Sequence, residues 1–161
     1  MALRHVVSSL TLEQAIAIAT GTIAAGQRER MLPLAMVVVV DAGGQVVTVQ
    51  GDDGCGTLRI RIAQGKARGA LGMGIPSRTI RDRLQNRPAF QSAVATASGG
   101  QFIPVPGGVH VLDREGRAIG AVGVSGDTSD RDEYCAIEGI RAAGLASDPP
   151  EPAPEWRSSS L

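Results

Sequence analysis

A short run of β-branched residues places the strongest limit on how this chain can fold. Residues 34–40 read Leu-Ala-Met-Val-Val-Val-Val, which is apolar on both faces and too rich in valine for a good helix. The run therefore predicts a central, buried strand. A turn at 41–44 (Asp-Ala-Gly-Gly) and a second strand at 45–50 follow it, so we expect an antiparallel hairpin.

Helix and strand signals extend this pattern along the chain. Thr11 begins a helix, and Gln14 stands three residues later, which is the spacing of a capping box. Further helices are predicted at 57–72, 77–84, 88–98 and 130–145, and a second hairpin joins strands at 109–112 and 118–124. The order α-β-β-α-α-α-β-β-α predicts an α+β fold, with one antiparallel sheet covered by helices.

Length and composition limit the organisation of the chain. A chain of 161 residues is near the size of one domain, which we expect to span residues 1–146. Residues 147–161 contain four of the nine prolines and a serine run, so we expect a flexible tail there.

Charge and residue composition limit which classes of binding partner and which cellular location we expect. Sixteen basic and sixteen acidic residues give no net charge, and aromatic residues make up 2% of the chain, which argues against nucleic-acid binding. No apolar run reaches the length of a membrane span. Two cysteines favour a reducing cytoplasm over a disulfide framework.

Lysine usage singles out one candidate ligand-binding residue. Fifteen of the sixteen basic residues are arginine, and the exception is Lys66 on the second predicted helix. We expect Lys66 and Arg68 on the exposed side of that helix, which has no acid between residues 57 and 72. Two interpretations are open: ion pairs with acids of the last helix, including Asp132 and Glu133, or the binding of an anionic ligand.

Two loops could supply backbone N–H groups to an anion. The first is Pro-Val-Pro-Gly-Gly at 104–108, where Gly107 and Gly108 permit unusual backbone angles; a tight entry into a strand explains it equally well. The second surrounds Ser125, between a strand and the last helix, where helix capping is the simpler explanation.

One histidine near the first loop could carry chemistry. His110 begins a predicted strand, where it could act as a general acid or base, ligate haem, or have no role beyond the strand. The cysteines and histidines do not have the spacing of a zinc site, so no metal site is predicted.

Five segments in this order resemble the GlcG/HbpS-like family, also known as a haem-degrading domain. They lie between about residues 10 and 144. The segments are 38–44 (Val-Val-Val-Asp-Ala-Gly-Gly), 65–68 (Gly-Lys-Ala-Arg), 104–109 (Pro-Val-Pro-Gly-Gly-Val), 119–126 (Ile-Gly-Ala-Val-Gly-Val-Ser-Gly) and 132–136 (Asp-Glu-Tyr-Cys-Ala). The resemblance implies a profilin-like antiparallel sheet, homo-oligomers, and haem or corrinoid-related ligands. The module is also similar to the C-terminal part of some cobalamin adenosyltransferases.

The first functional hypothesis is an oligomeric protein that binds a small anionic ligand, with haem or a related tetrapyrrole as a candidate. Its expected cleft is lined by Lys66, Arg68, Pro106, Gly107, Gly108, His110, Ser125 and Asp132. Residues that could ligate haem iron are His110, Tyr134, Cys135 and Met73.

Two further hypotheses belong to other classes of protein. One is a lyase, hydratase or isomerase acting on a small carboxylated metabolite. In it, Lys66 holds the carboxylate, the Gly107 and Gly108 amides stabilise an oxyanion, and His110 or Glu133 moves the proton. The other is a structural or signalling partner without a ligand.

Overall fold

The computed structural model describes residues 3–32 and 36–160. Its helices are α1 (Leu12–Arg28), α2 (Arg59–Met73), α3 (Ser77–Leu84), α4 (Pro88–Ala97) and α5 (Ser129–Ala142). Its strands are β1 (Met36–Asp41), β2 (Val46–Gly51), β3 (Gly108–Leu112), β4 (Ala118–Ser125) and β5 (Ala146–Asp148). The predicted first strand included Leu34 and Ala35, which lie outside the described residues.

The five strands form one antiparallel sheet in the order β2-β1-β4-β3-β5. Helices α1 and α5 cover one face, where they bury alternate valines of the central strands, such as Val37 and Val39. Helix α2 covers the other face, against Val38 and Val40. The predicted α+β fold, with an antiparallel sheet covered by helices, is confirmed.

Local capping explains some of the helix boundaries and not others. Thr11 caps α1 in a capping box with Gln14, as the sequence predicts. Thr57 does not cap α2, which begins at Arg59 without a side-chain cap. Ser77 does not cap α3 either; its hydroxyl accepts a hydrogen bond from the Gly108 N–H at 2.7 Å and so ties α3 to the start of β3.

Helix α2 packs close against the sheet because small residues meet at their contact. Its buried positions include Ala63, Gly65, Ala67 and Gly69. On β4, a Cβ added at Gly123 would overlap the Ala63 carbonyl oxygen, so only glycine fits there. The backbone of α2 therefore rests almost directly on β4.

The segment after α5 differs from the expected flexible tail. Residues 146–160, here called the C-terminal strap, begin with β5, which pairs with β3. Trp156 is 8% exposed and stacks on Tyr134 with ring centroids 3.8 Å apart. The prolines prevent regular helix, but the added strand and the buried indole supply the contacts that a composition-based expectation does not take into account.

The described residues include no helix with both the length and the apolar character that crossing a bilayer requires.

Candidate functional site

Lys66 lies in the protein interior, because α2 packs closely against the sheet at this point. The residue is 2% exposed, so the prediction that it lies on the solvent side of the helix is wrong. Its Nζ donates hydrogen bonds to the Val124 carbonyl at 2.8 Å and to Asp132 Oδ2 at 2.9 Å. The helical periodicity predicted the wrong side of α2 for Lys66, because the buried side consists of glycine and alanine rather than large apolar residues.

Asp132 receives its hydrogen bonds from two separate parts of the chain. Oδ2 accepts from Lys66, and Oδ1 accepts from the Asp127 N–H at 3.0 Å. Burial raises the pKa of the Asp132 carboxyl, whereas the neighbouring Lys66 ammonium opposes that shift by stabilising the charged form. The pair therefore joins α2 to the start of α5 through a buried, hydrogen-bonded contact.

The glycine loop lies beside this pair. Gly107 has a φ of 110°, and a Cβ there would stand 3.0 Å from Lys66 Nζ and 2.9 Å from the Val124 carbonyl oxygen. A larger residue would therefore displace the ammonium. The structure thus brings together Lys66, Gly107 and Asp132, three of the residues expected to line one cleft.

A cavity of about 330 Å³ opens beside Asp132, between the end of α1 and the start of α5. Val124 and Asp132, both acceptors of Lys66, form part of its wall, while Lys66 itself stands behind them. Apolar and polar side chains share the lining. The lining residues are Ile23, Gly26, Gln27, Arg30, Met31, Leu32, Asp52, Val124, Asp127, Asp132 and Cys135.

Two sulfur atoms meet at the wall of this cavity. The Cys135 thiol donates to Met31 Sδ at a distance of 3.4 Å, and Cys135 is 3% exposed. Burial raises the pKa of the Cys135 thiol to about 12, with smaller contributions from the Asp132 and Asp127 carboxylates. The thiol is consequently protonated at neutral pH, whereas the Met31 thioether offers a lone pair without losing a proton.

On the other side of the cavity mouth, Asp127 contacts the chain after α1 and the first turn of α5. Its Oδ2 accepts from the Leu32 N–H at 3.0 Å, and its Oδ1 lies 3.3 Å from the Arg131 guanidinium. Since Asp132 is paired with Lys66, both of these buried carboxylates have cationic partners. The cavity wall therefore carries less negative charge than its acidic residues suggest.

Arg68 and Ser125 are held away from this cavity. The Arg68 Nε donates to the Gly44 carbonyl at 2.9 Å, and its guanidinium contacts Gln101. Ser125 is buried, and its Oγ accepts from Arg59 at 3.4 Å. Neither side chain lines the cavity beside Asp132.

Pro106 and Gly108 lie at the buried start of β3. Gly108 contacts the Lys66 backbone and the Ser77 hydroxyl, and a Cβ there would overlap the Lys66 carbonyl oxygen. These residues position the strand against α2, which agrees with the interpretation of the loop as a tight strand entry.

His110 is enclosed in the sheet and is 4% exposed. Its Nδ1 lies 3.6 Å from Asp148 Oδ2 on β5, and its Nε2 has no hydrogen-bond partner among the described residues. His110 does not line the cavity beside Asp132. The structure therefore does not gather His110 with Lys66 around a common space.

Glu133 follows Asp132 directly on α5 and is fully buried. Its Oε1 lies 3.2 Å from the Arg78 guanidinium, but neither carboxylate oxygen makes a well-formed hydrogen bond within the described residues. Burial raises the pKa of the Glu133 carboxyl to about 7, while Arg78 and Arg81 oppose the shift and Asp130 adds to it. Glu133 also lies outside the lining of the cavity.

The candidate haem ligands are scattered over the fold. Cys135 lines the cavity, Tyr134 stacks on Trp156, and Met73 lies at the end of α2 in a separate depression with Phe102. Sequence reasoning missed Met31 and Arg30, which both line the cavity. The only signal for them was their place at the end of the first helix, where chain reversal brings side chains over the sheet edge.

Several solved structures share the fold of this chain. The PduOC:heme complex aligns with a TM-score of 0.75 and 22% identity over 87% of this chain and 98% of that chain. Klebsiella pneumoniae protein ORFY aligns with a TM-score of 0.76 and 24% identity over 89% and 97% of the two chains.

A double mutant of HbpS from Streptomyces reticuli aligns with a TM-score of 0.70 and 26% identity, over 86% of this chain and 89% of that chain. Among curated proteins, no sequence matches. The model of a family described as "Haem degrading protein HbpS-like" matches residues 10–141. Because that match covers most of the chain, the protein belongs to the HbpS-like family.

Proposed function

We propose that this protein binds a small anionic ligand with an apolar body, a haem-type tetrapyrrole, in the cavity between α1 and α5. The observation that carries the proposal is the pairing of Met31 and Cys135 sulfurs at the wall of that cavity. Thioether and thiolate sulfurs are both established ligands of haem iron. The relatives support the ligand class, since one of them is a heme complex and another is HbpS.

The residues present fit such a ligand. A volume of about 330 Å³ is at the lower end of small-molecule sites, so a macrocycle that places its iron at Met31 would extend beyond the cavity toward solvent. Met31 would hold the iron more readily than Cys135, because the raised pKa of Cys135 keeps its sulfur protonated. When bound, the group would supply the iron and its redox chemistry; the protein supplies the shaped, partly apolar wall.

Lys66 has an indirect part in this proposal. Its ammonium is already bonded to Asp132 and Val124, so it does not face the cavity. By neutralising Asp132, it lowers the repulsion that an anionic ligand would otherwise meet at the wall.

Homo-oligomerisation and a cytoplasmic location stay proposals; the edge strand β2 exposes Val46 and Val49, which supports assembly through that edge.

The test is an absorbance titration of the protein with haemin. We expect wild-type protein to shift the Soret band at a stoichiometric end point. Met31→Leu keeps the apolar volume and removes the thioether, so it should lower the affinity for haemin at least tenfold, which equals about 1.4 kcal/mol. Met73→Leu is the matched control, because Met73 lies outside the cavity.

Two results would contradict the proposal. Wild-type protein that leaves the haemin spectrum unchanged would remove the ligand class. Equal affinities in wild type, Met31→Leu and Cys135→Ser would remove the cavity as the binding site.

The enzymatic hypothesis gains no comparable support. It needs Lys66 and either His110 or Glu133 beside one substrate, but Lys66 is occupied by Asp132, and neither His110 nor Glu133 lines the cavity. A role without any ligand leaves unexplained why two sulfurs stand at the wall of a cavity of this size.

A further inference from the structure

A second depression, of about 240 Å³, adjoins the cavity at the end of α1. The two share Arg30 and Met31, so a ligand could extend from one into the other. Three of the six residues that line it are arginines, and Glu29 is the one acid. The lining residues are Glu29, Arg30, Met31, Arg131, Trp156 and Arg157.

The three guanidiniums differ in how far they are already occupied. Arg157 pairs with Glu29 at 2.5 Å and 3.1 Å, and Arg131 lies 3.3 Å from Asp127. The Arg30 guanidinium makes no ion pair or hydrogen bond with another residue in 3–32 and 36–160, although Arg30 lines both spaces. It therefore retains all of its donors for a ligand that enters from solvent.

The backbone of Arg30 occupies a conformation that glycine favours. Its φ is 52°, and the N–H groups of Arg30 and Met31 bond back to the carbonyls of Gln27 and Gly26, as in a helix-terminating turn. An L-residue with a Cβ is strained at this position. A long cationic side chain there costs stability, so its presence calls for a functional reason.

The C-terminal strap supplies the third guanidinium and holds it in place. Trp156 stacks on Tyr134, Arg157 lies 4.3 Å from the centre of the Trp156 ring, and Arg131 donates to the Arg157 carbonyl at 3.1 Å. The strap lies beyond the residues 10–141 that match the family. Arg157 is thus fixed at the depression by a segment outside the shared domain.

We propose that Arg30, Arg131 and Arg157 form an anion subsite that binds the carboxylates of the ligand held in the adjoining cavity. This inference rests on the proposed function, which supplies the ligand. A guanidinium fork matches a carboxylate in a bidentate geometry, which Arg30 can offer directly, while Arg131 and Arg157 add positive charge around the depression that suits the paired propionates of a tetrapyrrole. The strap therefore completes the site of this chain.

The test compares haemin with its dimethyl ester, which keeps the macrocycle and iron but has no free carboxylate. Arg30→Gly removes the guanidinium and relieves the left-handed backbone. We expect it to raise the thermal midpoint by about 2–4 °C while weakening haemin binding at least tenfold. Its affinity for the dimethyl ester should stay within twofold of wild type, and Arg157→Gln should show the same selectivity between the two ligands.

Arg114→Gln is the matched control, because Arg114 is an exposed arginine in the turn between β3 and β4. It should bind both ligands as wild type does. Unchanged haemin affinity in both Arg30→Gly and Arg157→Gln, or equal losses for haemin and its ester, would overturn the subsite while leaving the proposed function intact. Wild-type protein that binds neither ligand would overturn both.

Discussion

Asp132 and Glu133 are adjacent on one helix, are both buried, and have opposite surroundings. Asp132 accepts hydrogen bonds from Lys66 and from the Asp127 backbone. Glu133 faces Arg78 at 3.2 Å without a well-formed hydrogen bond to either oxygen. A helix turns by about 100° per residue, so α5 presents one carboxylate toward α2 and the cavity and the other toward α3 and the C-terminal strap.

Burial raises the pKa of both carboxyls, and the two differ in the partners that oppose this shift. The partners of Asp132 come from a helix and a loop that the sheet holds in fixed positions. Glu133 depends chiefly on Arg78, with smaller contributions from Arg81 and the Ala153 N–H. The Arg78 side chain is 21% exposed and also donates to the Glu151 carbonyl of the strap. A partner that is shared and partly hydrated offsets less of the desolvation cost, so the pKa of Glu133 rises to about 7.

The largest effect is expected from Lys66→Ala. This change leaves the Asp132 carboxylate buried without its cation, and removing one member of a buried ion pair costs about 3–5 kcal/mol. We expect the free energy of unfolding, measured by urea denaturation at pH 7, to fall by that amount.

The double variant Lys66→Met, Asp132→Leu is the companion measurement. It removes both charges, so it should be more stable than Lys66→Ala alone. A loss below about 1 kcal/mol in Lys66→Ala would mean that Asp132 is not held by its cation, and the contrast with Glu133 would disappear.

The next largest effect is expected from Glu133→Gln, and it depends on pH. The folded-state pKa of about 7 lies above the ordinary value of 4.5, so the protonated carboxyl is favoured by folding. The stability that this group contributes is fully present below about pH 4.5 and is lost as pH rises through 7. At 1.36 kcal/mol for each pKa unit, the loss is at most about 3 kcal/mol.

Glutamine stays neutral, so Glu133→Gln should be more stable than wild type at pH 8 and should differ little near pH 4.5. Unfolding by urea at both pH values measures this. Glu138→Gln, on the more exposed side of the same helix, should change stability by about 0.5 kcal/mol or less. If Glu133→Gln lowers stability at pH 8, the ion pair with Arg78 outweighs desolvation.

The smallest effect is expected from an ion pair at the protein surface. Arg117 is 74% exposed and lies 2.8 Å from Asp113, in a pair closer than that of Glu133 and Arg78. Since water and salt screen exposed charges, Arg117→Ala should cost about 0.5 kcal/mol in urea denaturation. A cost above 2 kcal/mol would show that distance, rather than burial, governs ion pairs in this protein.

The sheet and most of its helices could be predicted because their signals are local. The valine run, the turns around Gly44 and Gly116, and the capping box at Thr11 each specify nearby backbone. The strap escaped prediction because its order comes from contacts with distant residues. Trp156 packs on Tyr134, and β5 pairs with β3, neither of which a proline-rich composition indicates.

The candidate site was predictable only in part for a similar reason. Lys66 and Asp132 could be proposed as partners because their charges are opposite and each is placed by a predicted helix. Which side of α2 faces the sheet depends on its contact with Gly123 of β4, and the periodicity of the helix sequence does not show that contact. Met31 and Arg30 lie at the site because the chain reverses direction after α1, and sequence periodicity does not predict that reversal.

The tight fit at Gly123 also limits how this protein can change over time. Every single-nucleotide missense change in a glycine codon introduces at least a Cβ, and a Cβ at this position would overlap the Ala63 carbonyl oxygen. Any such change must therefore push α2 outward and carry Lys66 away from Asp132. We expect every one-step replacement at this codon to destabilise the fold, so a stable variant here requires a compensating change in α2.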